Sequence, residues 1–241
     1  MIMNAHFEKI SFDQYVKDRL EYLDYGVNKD YLSVNGVFDK DIDRKWSRLS
    51  ENSGVFKFKD EIKPGSTYEA ALLQLFSKEY DNIKLPERST VLSLGYDFVI
   101  PFDIDHTFPY KTKPLVIPTG IRCVYNLESI NACTFSGLFL FPRSSTGIKK
   151  GLSLANSVAV IEPDYFLAKN EGHLLIALVH NNNNADDSEV EVPLFRAGDR
   201  FAQGVFLPVG VIMDDADDIN NRDRSINDTG SRAGGIGSTG N

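Results

Sequence analysis

The residues best suited to chemistry sit between Phe141 and Tyr165, in the run FPRSSTGIKKGLSLANSVAVIEPDY. A Pro-Arg-Ser-Ser turn supplies a guanidinium, two hydroxyls and backbone N–H groups, and a Gly/Lys loop adds positive charge. A short β-hairpin-like segment follows, with Asn156, then an apolar VAVI run closed by Glu162, Asp164 and Tyr165. Donors and cations of this kind gather phosphate oxygens, and a carboxylate beside them can take a proton from water. The pattern reads as an anion cradle next to a candidate general base, which is equipment for hydrolysing a phosphate compound.

The rest of the chain has to position those groups. Its 241 residues, 42% hydrophobic and 25% charged, have an ordinary globular composition and can bury a proper core. No apolar run reaches the roughly 18 residues that a membrane span needs. The start, MIMNAHFEKI, turns polar too early for a signal peptide. A cytoplasmic protein without a membrane partner is therefore expected. The formal net charge of −8 argues against a nucleic-acid partner. It also means that a polyanion has to be held by local donors and a metal, not by the field of the whole molecule. Cys123 and Cys133 lack metal-site spacing and read as reduced, buried thiols. His6, His106, His173 and His180 form no ligand pair, so surface or structural roles are expected.

Three regions are expected. Residues 1–80 are mixed and partly helical. Ser11-Phe-Asp-Gln14 has capping-box form and leads into Phe12, Val16, Leu20 and Leu23 at helical spacing. Ser66-Thr-Tyr-Glu69 repeats the signal before Ala70, Leu72, Leu73, Leu75 and Phe76. The segment between them, with Trp46 and VFKFK, carries no assignable chemistry, and an extension for packing or for a protein partner is the default. Residues 81–213 change to short strands separated by turns, from LSLGYDFVIPF through CTFSGLFLF and HLLIALVH to RFAQGVFLPVGVIM. Such spacing points to an all-β barrel or jelly roll and not to a parallel α/β sheet. Residues 214–241 form a polar, flexible arm ending in SRAGGIGSTGN. Its literal GxGxxG is not a dinucleotide fingerprint, because no strand precedes it and no helix can follow. Backbone N–H groups with Arg232, Ser238 and Thr239 suit an arm folding over a phosphate chain.

Five segments in order, SLGYDF (93–98), PRSSTG (142–147), NSVAVIEPDY (156–165), AGDRFAQ (197–203) and RAGGIGSTG (232–240), resemble the trimeric dUTP pyrophosphatase (dUTPase) family. The resemblance covers about Leu85 to Asn241. FEKISFDQY at the N-terminus, FLAKNEGH after Tyr165 and the GGIGSTG ending are similar to the branch found in Firmicutes bacteria and their phages. It implies a β jelly roll (β-clip) forming a homotrimer, with sites at subunit interfaces completed by a neighbour's arm. It also implies Mg2+ as cofactor and hydrolysis of dUTP to dUMP and pyrophosphate.

Carried over residue by residue, the resemblance makes Glu162 the carboxylate that activates the attacking water. Asp97 would hold the water shell of the metal, and Arg143 would orient nearby acids. Ser144, Ser145 and Gln203 would donate to phosphate oxygens, and Arg232 would clamp the γ-phosphate. Asn156 with the backbone around Ile161 would read uracil, in a narrow hairpin that excludes a 5-methyl group. Tyr165 would pack under deoxyribose, Ile236 would cover the base, and Gly235, Gly237, Ser238 and Thr239 would cradle the phosphates.

Two departures stand out. The family's catalytic residue is aspartate, whereas Glu162 is one methylene longer, a misplacement of about 1–1.5 Å that can cost about 100-fold. Ile236 stands where most members stack a phenylalanine on uracil, which forgoes about 0.5–1.5 kcal/mol of ring stacking. Two alternatives stay open. One is a dUTP-binding regulatory protein with weak turnover, contacting a partner through its N-terminal region. The other is a dCTP deaminase, although HLLIALVHN lacks the carboxylate that such chemistry needs.

Overall fold

The computed structural model describes residues 5–22, 67–104, 114–130, 136–181, 195–210 and 212. Leu23, Trp46, VFKFK, the Ser66 capping box, Cys133 and the terminal arm lie outside the described residues.

Local signals produce the expected helices. Ser11 caps α1 (Phe12–Glu21) by accepting the Gln14 N–H at 3.2 Å, so one orphan donor of the first turn is satisfied. Helix α2 spans Thr67–Asp81 and buries Leu72, Leu75 and Phe76, while Leu73 faces outward.

Ten strands follow the alternation of the sequence: β1 Ala5–Lys9, β2 Glu87–Arg88, β3 Tyr96–Val99, β4 Leu115–Pro118, β5 Ile121–Tyr125, β6 Ser136–Pro142, β7 Leu152–Leu154, β8 Ala159–Ile161, β9 Leu175–His180 and β10 Arg200–Pro208. Among the described residues they form a five-stranded sheet in the order β2-β3-β10-β6-β8, a three-stranded sheet β4-β9-β7 and the pair β1-β5, all antiparallel. Neighbours far apart in sequence, such as β3 and β10, exclude a simple meander and fit the jelly-roll expectation. The body is all-β with helices added at its N-terminal side.

One expectation is corrected. The segment carrying Asn156 is not a hairpin: β7 pairs with β9 while β8 pairs with β6. Residues 155–158 are a corner where the chain passes from one sheet to the other. Ser157 makes the corner at φ 62°, a left-handed conformation uncommon outside glycine.

The core joins both parts of the chain. Ile10, Tyr15, Leu72 and Phe76 pack in one cluster with Phe98, Ile117, Leu140, Ile176 and Phe201. Strand β1 extends β5 from Ala5↔Tyr125 to Lys9↔Ile121. Between α1 and α2 lies a buried polar contact, in which Arg19 donates to Glu79 through Nε at 2.9 Å and Nη2 at 3.2 Å. The Tyr15 hydroxyl donates to the same carboxylate at 3.1 Å. Described parts of the N-terminal extension thus pack into the body. Cys123 is buried, and its thiol is pushed up to about 12, as expected for an unreactive core cysteine.

Candidate active site

Three strands bring the first, second and fourth segments together. Asp97 of β3 lies opposite Gln203 of β10, and Gln203 lies opposite Phe141 of β6. Arg143 follows directly after β6, with its N–H donating to the Phe201 carbonyl at 3.0 Å. From there its Nη1 pairs with Asp97 Oδ1. Gly95 gives Gln203 its room, since a Cβ at that glycine would stand 2.5 Å from Gln203 Oε1.

Asp97 is the hub. Its Oδ2 accepts from Ser89 Oγ at 2.7 Å and from Arg200 Nη1 at 3.2 Å, and Arg200 Nη1 also donates to Ser89 Oγ at 3.0 Å. Burial pushes the Asp97 carboxyl upward, but the Ser89 and Arg143 hydrogen bonds and the charges of Arg143 and Arg200 outweigh it. The carboxyl is held below its ordinary value. Two guanidinium groups flank the Asp97 carboxylate, with Glu87 opposite it on β2.

Arg200 was missed in the sequence. It precedes Gln203 by three residues, an odd spacing that places side chains on opposite faces of a regular strand. The register shift between Arg200 and Ala202 inserts one residue, which turns Arg200 onto the face of Gln203 and Asp97. Ser89, a few residues before the SLGYDF segment, was likewise unassigned.

Ser144 and Ser145 are exposed where the chain leaves this cluster. The segment read as a Gly/Lys loop is a single wide helical turn, Ser145–Lys149, anchored by Thr146 Oγ1 donating to the Phe201 carbonyl at 2.7 Å. The same carbonyl accepts the Arg143 N–H, so both ends of the PRSST turn are tied to β10.

The third segment lies elsewhere on the chain. Ile161 ends β8 opposite Leu138 of β6, which in turn lies opposite Phe206. Ile161 is therefore two strands across and three residues along from Gln203, on the order of 14 Å away. Asn156 and Glu162 are exposed, and Tyr165 is half-buried. Arg232, Gly235, Ile236, Gly237, Ser238 and Thr239 lie outside the described residues.

Among the described residues, no group of three or more His, Cys, Asp or Glu could hold a metal ion. With three donors on Asp97, about one of its four acceptor sites is left. Asp97 by itself does not make a metal cage. No helix of the described residues is long and apolar enough to cross a membrane.

The described part of the chain is thus an antiparallel β body that holds an arginine–carboxylate cluster across β3, β10 and β6. No protein-family model matches the chain. Similarity to individual proteins is specific. The chain is 36% identical over 159 residues to the deoxyuridine 5′-triphosphate nucleotidohydrolase of Lactococcus lactis subsp. lactis, covering 66% of this chain and 89% of that enzyme. It is 34% identical over 161 residues to the enzyme of the same name from Desulfitobacterium hafniense, covering 65% and 87%. The dUTPase structure from Streptococcus mutans aligns at 31% identity with a TM-score of 0.40, covering 55% of this chain and 90% of the other. This chain belongs to the deoxyuridine 5′-triphosphate nucleotidohydrolase (dUTPase) family.

Proposed function

We propose that the protein hydrolyses dUTP to dUMP and pyrophosphate. The observation that carries this reading is the cluster in which Asp97 holds Arg143 and Arg200 beside Gln203 and two exposed serines, in a chain of this family. Its convergent guanidinium, amide and hydroxyl donors suit a triphosphate.

Glu162 orients a water, accepts its proton and lets the hydroxide attack the α-phosphorus in line, so that the bond to pyrophosphate breaks. Ser144, Ser145 and Gln203 donate to phosphate oxygens, and Arg143 is pre-set by Asp97. Asn156 reads the uracil edge at the corner between the sheets, with Ile161 behind it, and Tyr165 packs under deoxyribose. The arm adds Arg232 to the γ-phosphate, Ile236 over the base, and Gly235, Gly237, Ser238 and Thr239 around the phosphates. Asp97 would hold a Mg2+ through its water shell, and the ion would supply neutralising charge for the departing pyrophosphate.

As the family resemblance implies, the protein is a homotrimer in which different subunits supply the phosphate-binding and base-binding groups. Pyrophosphate release from dUTP, dTTP, dCTP and UTP tests the reading. Release from dUTP alone is expected, and release without discrimination among the four would sink the proposed specificity. Glu162, longer than the family's aspartate, also fits a second reading, dUTP binding with weak turnover for a regulatory role.

A further inference from the structure

Tyr165 does not hold itself in place. Its hydroxyl donates to the His173 carbonyl at 3.1 Å and accepts from Asn170 Nδ2 at 3.0 Å. The ring is therefore tied to the loop at 166–173. That loop is tight: Asn170 Oδ1 accepts the Gly172 N–H at 3.2 Å, and a Cβ on Gly172 would stand 2.4 Å from Phe166 Cα.

The loop is in turn held from the far end of the chain. Glu171 sits at φ 58°, a conformation that persists in a non-glycine residue where its surroundings over-determine it. Those surroundings are Ser11, whose N–H and Oγ donate to the Glu171 carboxylate at 2.8 and 2.5 Å. One further anchor comes from the same helix. The fully buried His173 ring meets Asp18 Oδ2 through Nδ1 at 2.6 Å, and Gly120 N–H donates to its Nε2 at 2.8 Å. Because Nε2 accepts, Nδ1 carries the proton and donates to Asp18, and the neutral ring has both nitrogens used. Two segments singled out separately in the sequence, FEKISFDQY and FLAKNEGH, are thus parts of one assembly.

We propose that α1 is a strut for the sugar-binding half of the site. In this role Ser11, Asp18, Asn170, Glu171 and His173 are positioning residues that fix the Tyr165 ring. The inference rests on the assignment of Tyr165 to deoxyribose above. A ring edge excludes a 2′-hydroxyl only while it cannot yield, so the strut sets the discrimination between deoxyribose and ribose.

Binding tests this without turnover. dUMP, UMP and pyrophosphate are titrated by calorimetry into the full chain as wild type, Tyr165→Ala, Asn170→Leu, Glu171→Ala and Ser11→Ala. The wild type is expected to prefer dUMP to UMP, and Tyr165→Ala to lose most of that preference. The three strut variants are expected to weaken dUMP about three- to tenfold and to narrow the preference, with pyrophosphate binding unchanged. Silent strut variants beside an effective Tyr165→Ala would overturn the strut and leave the sugar assignment standing. A silent Tyr165→Ala would overturn both. Equal losses for all three ligands would report general damage and also overturn the strut. Ser11→Ala, which trims one exposed hydroxyl, keeps the test decisive if Asn170→Leu does not fold.

Discussion

Asp97 and Arg143 reach each other across an intervening strand: β10 lies between β3 and β6, and their ion pair closes over it beside Gln203. An interaction that clasps three strands at one level fixes Arg143, Asp97 and Gln203 relative to one another.

Replacing Asp97 by Asn should release both arginines while the fold stays intact. A fall in kcat/KM for dUTP of about 10- to 100-fold is expected, read by pyrophosphate release alongside thermal unfolding. The pH dependence has a definite sign. Because the folded carboxyl is held below its ordinary value, its stabilising contribution is present above about pH 4 and is lost as pH falls through the depressed value. The stability difference between wild type and Asp97→Asn should shrink on acidification below about pH 4.

Gly95→Ala should act on Gln203 without touching it in sequence. The new methyl would meet the far end of a flexible side chain, so Gln203 moves aside and the strand survives. Unfolding within about 1 kcal/mol of wild type is expected, together with a loss of activity close to that of Gln203→Ala. A double variant no worse than either single would confirm that both act on one group.

Glu162 decides between turnover and binding. Glu162→Gln should abolish pyrophosphate release while leaving dUTP binding within a few-fold, because the amide cannot accept a proton. Glu162→Asp should retain or raise the rate. A truncation before Thr229 should also abolish turnover by removing the arm. Normal turnover in Glu162→Gln would show that another group is the base.

His173 should give stability a slope at mildly acidic pH. Burial, working against Asp18, holds the imidazole below its ordinary value of 6.5. The unfolded chain therefore takes up a proton that the folded chain does not, and stability falls as pH drops below about 6.5 toward the depressed value. Urea unfolding at pH 7.5 and 5.5 should show the loss, and His173→Gln should flatten it.

Much of this was legible in the sequence, and for identifiable reasons. The α1 cap is a four-residue signal that is half met: Ser11 accepts the Gln14 N–H, while the Gln14 side chain turns to Asp18 and the Ser11 N–H to Glu171. Strands such as β6 and β10 follow from β-rich runs, because their side chains pack on a pleated surface. Asp97, Arg143 and Gln203 were nameable from their segments, and the structure brings them together. Arg200 was not, because a bulge altered the face its spacing implied. The corner at Asn156 resembled a hairpin, since pairing partners are non-local and a short apolar run does not name its sheet. His173 was expected only to be surface or structural; its tie to Asp18 spans 155 residues, beyond any local pattern.

The position of β1 and α1 has a consequence for how the chain is made. These elements leave the ribosome before their partners, since β5 lies more than a hundred residues later and Glu171 follows Ser11 by 160. At about 5–20 residues per second, the first helix waits roughly 10–30 s for its partner loop. Strand β1 and helix α1 therefore exist well before the contacts that settle them.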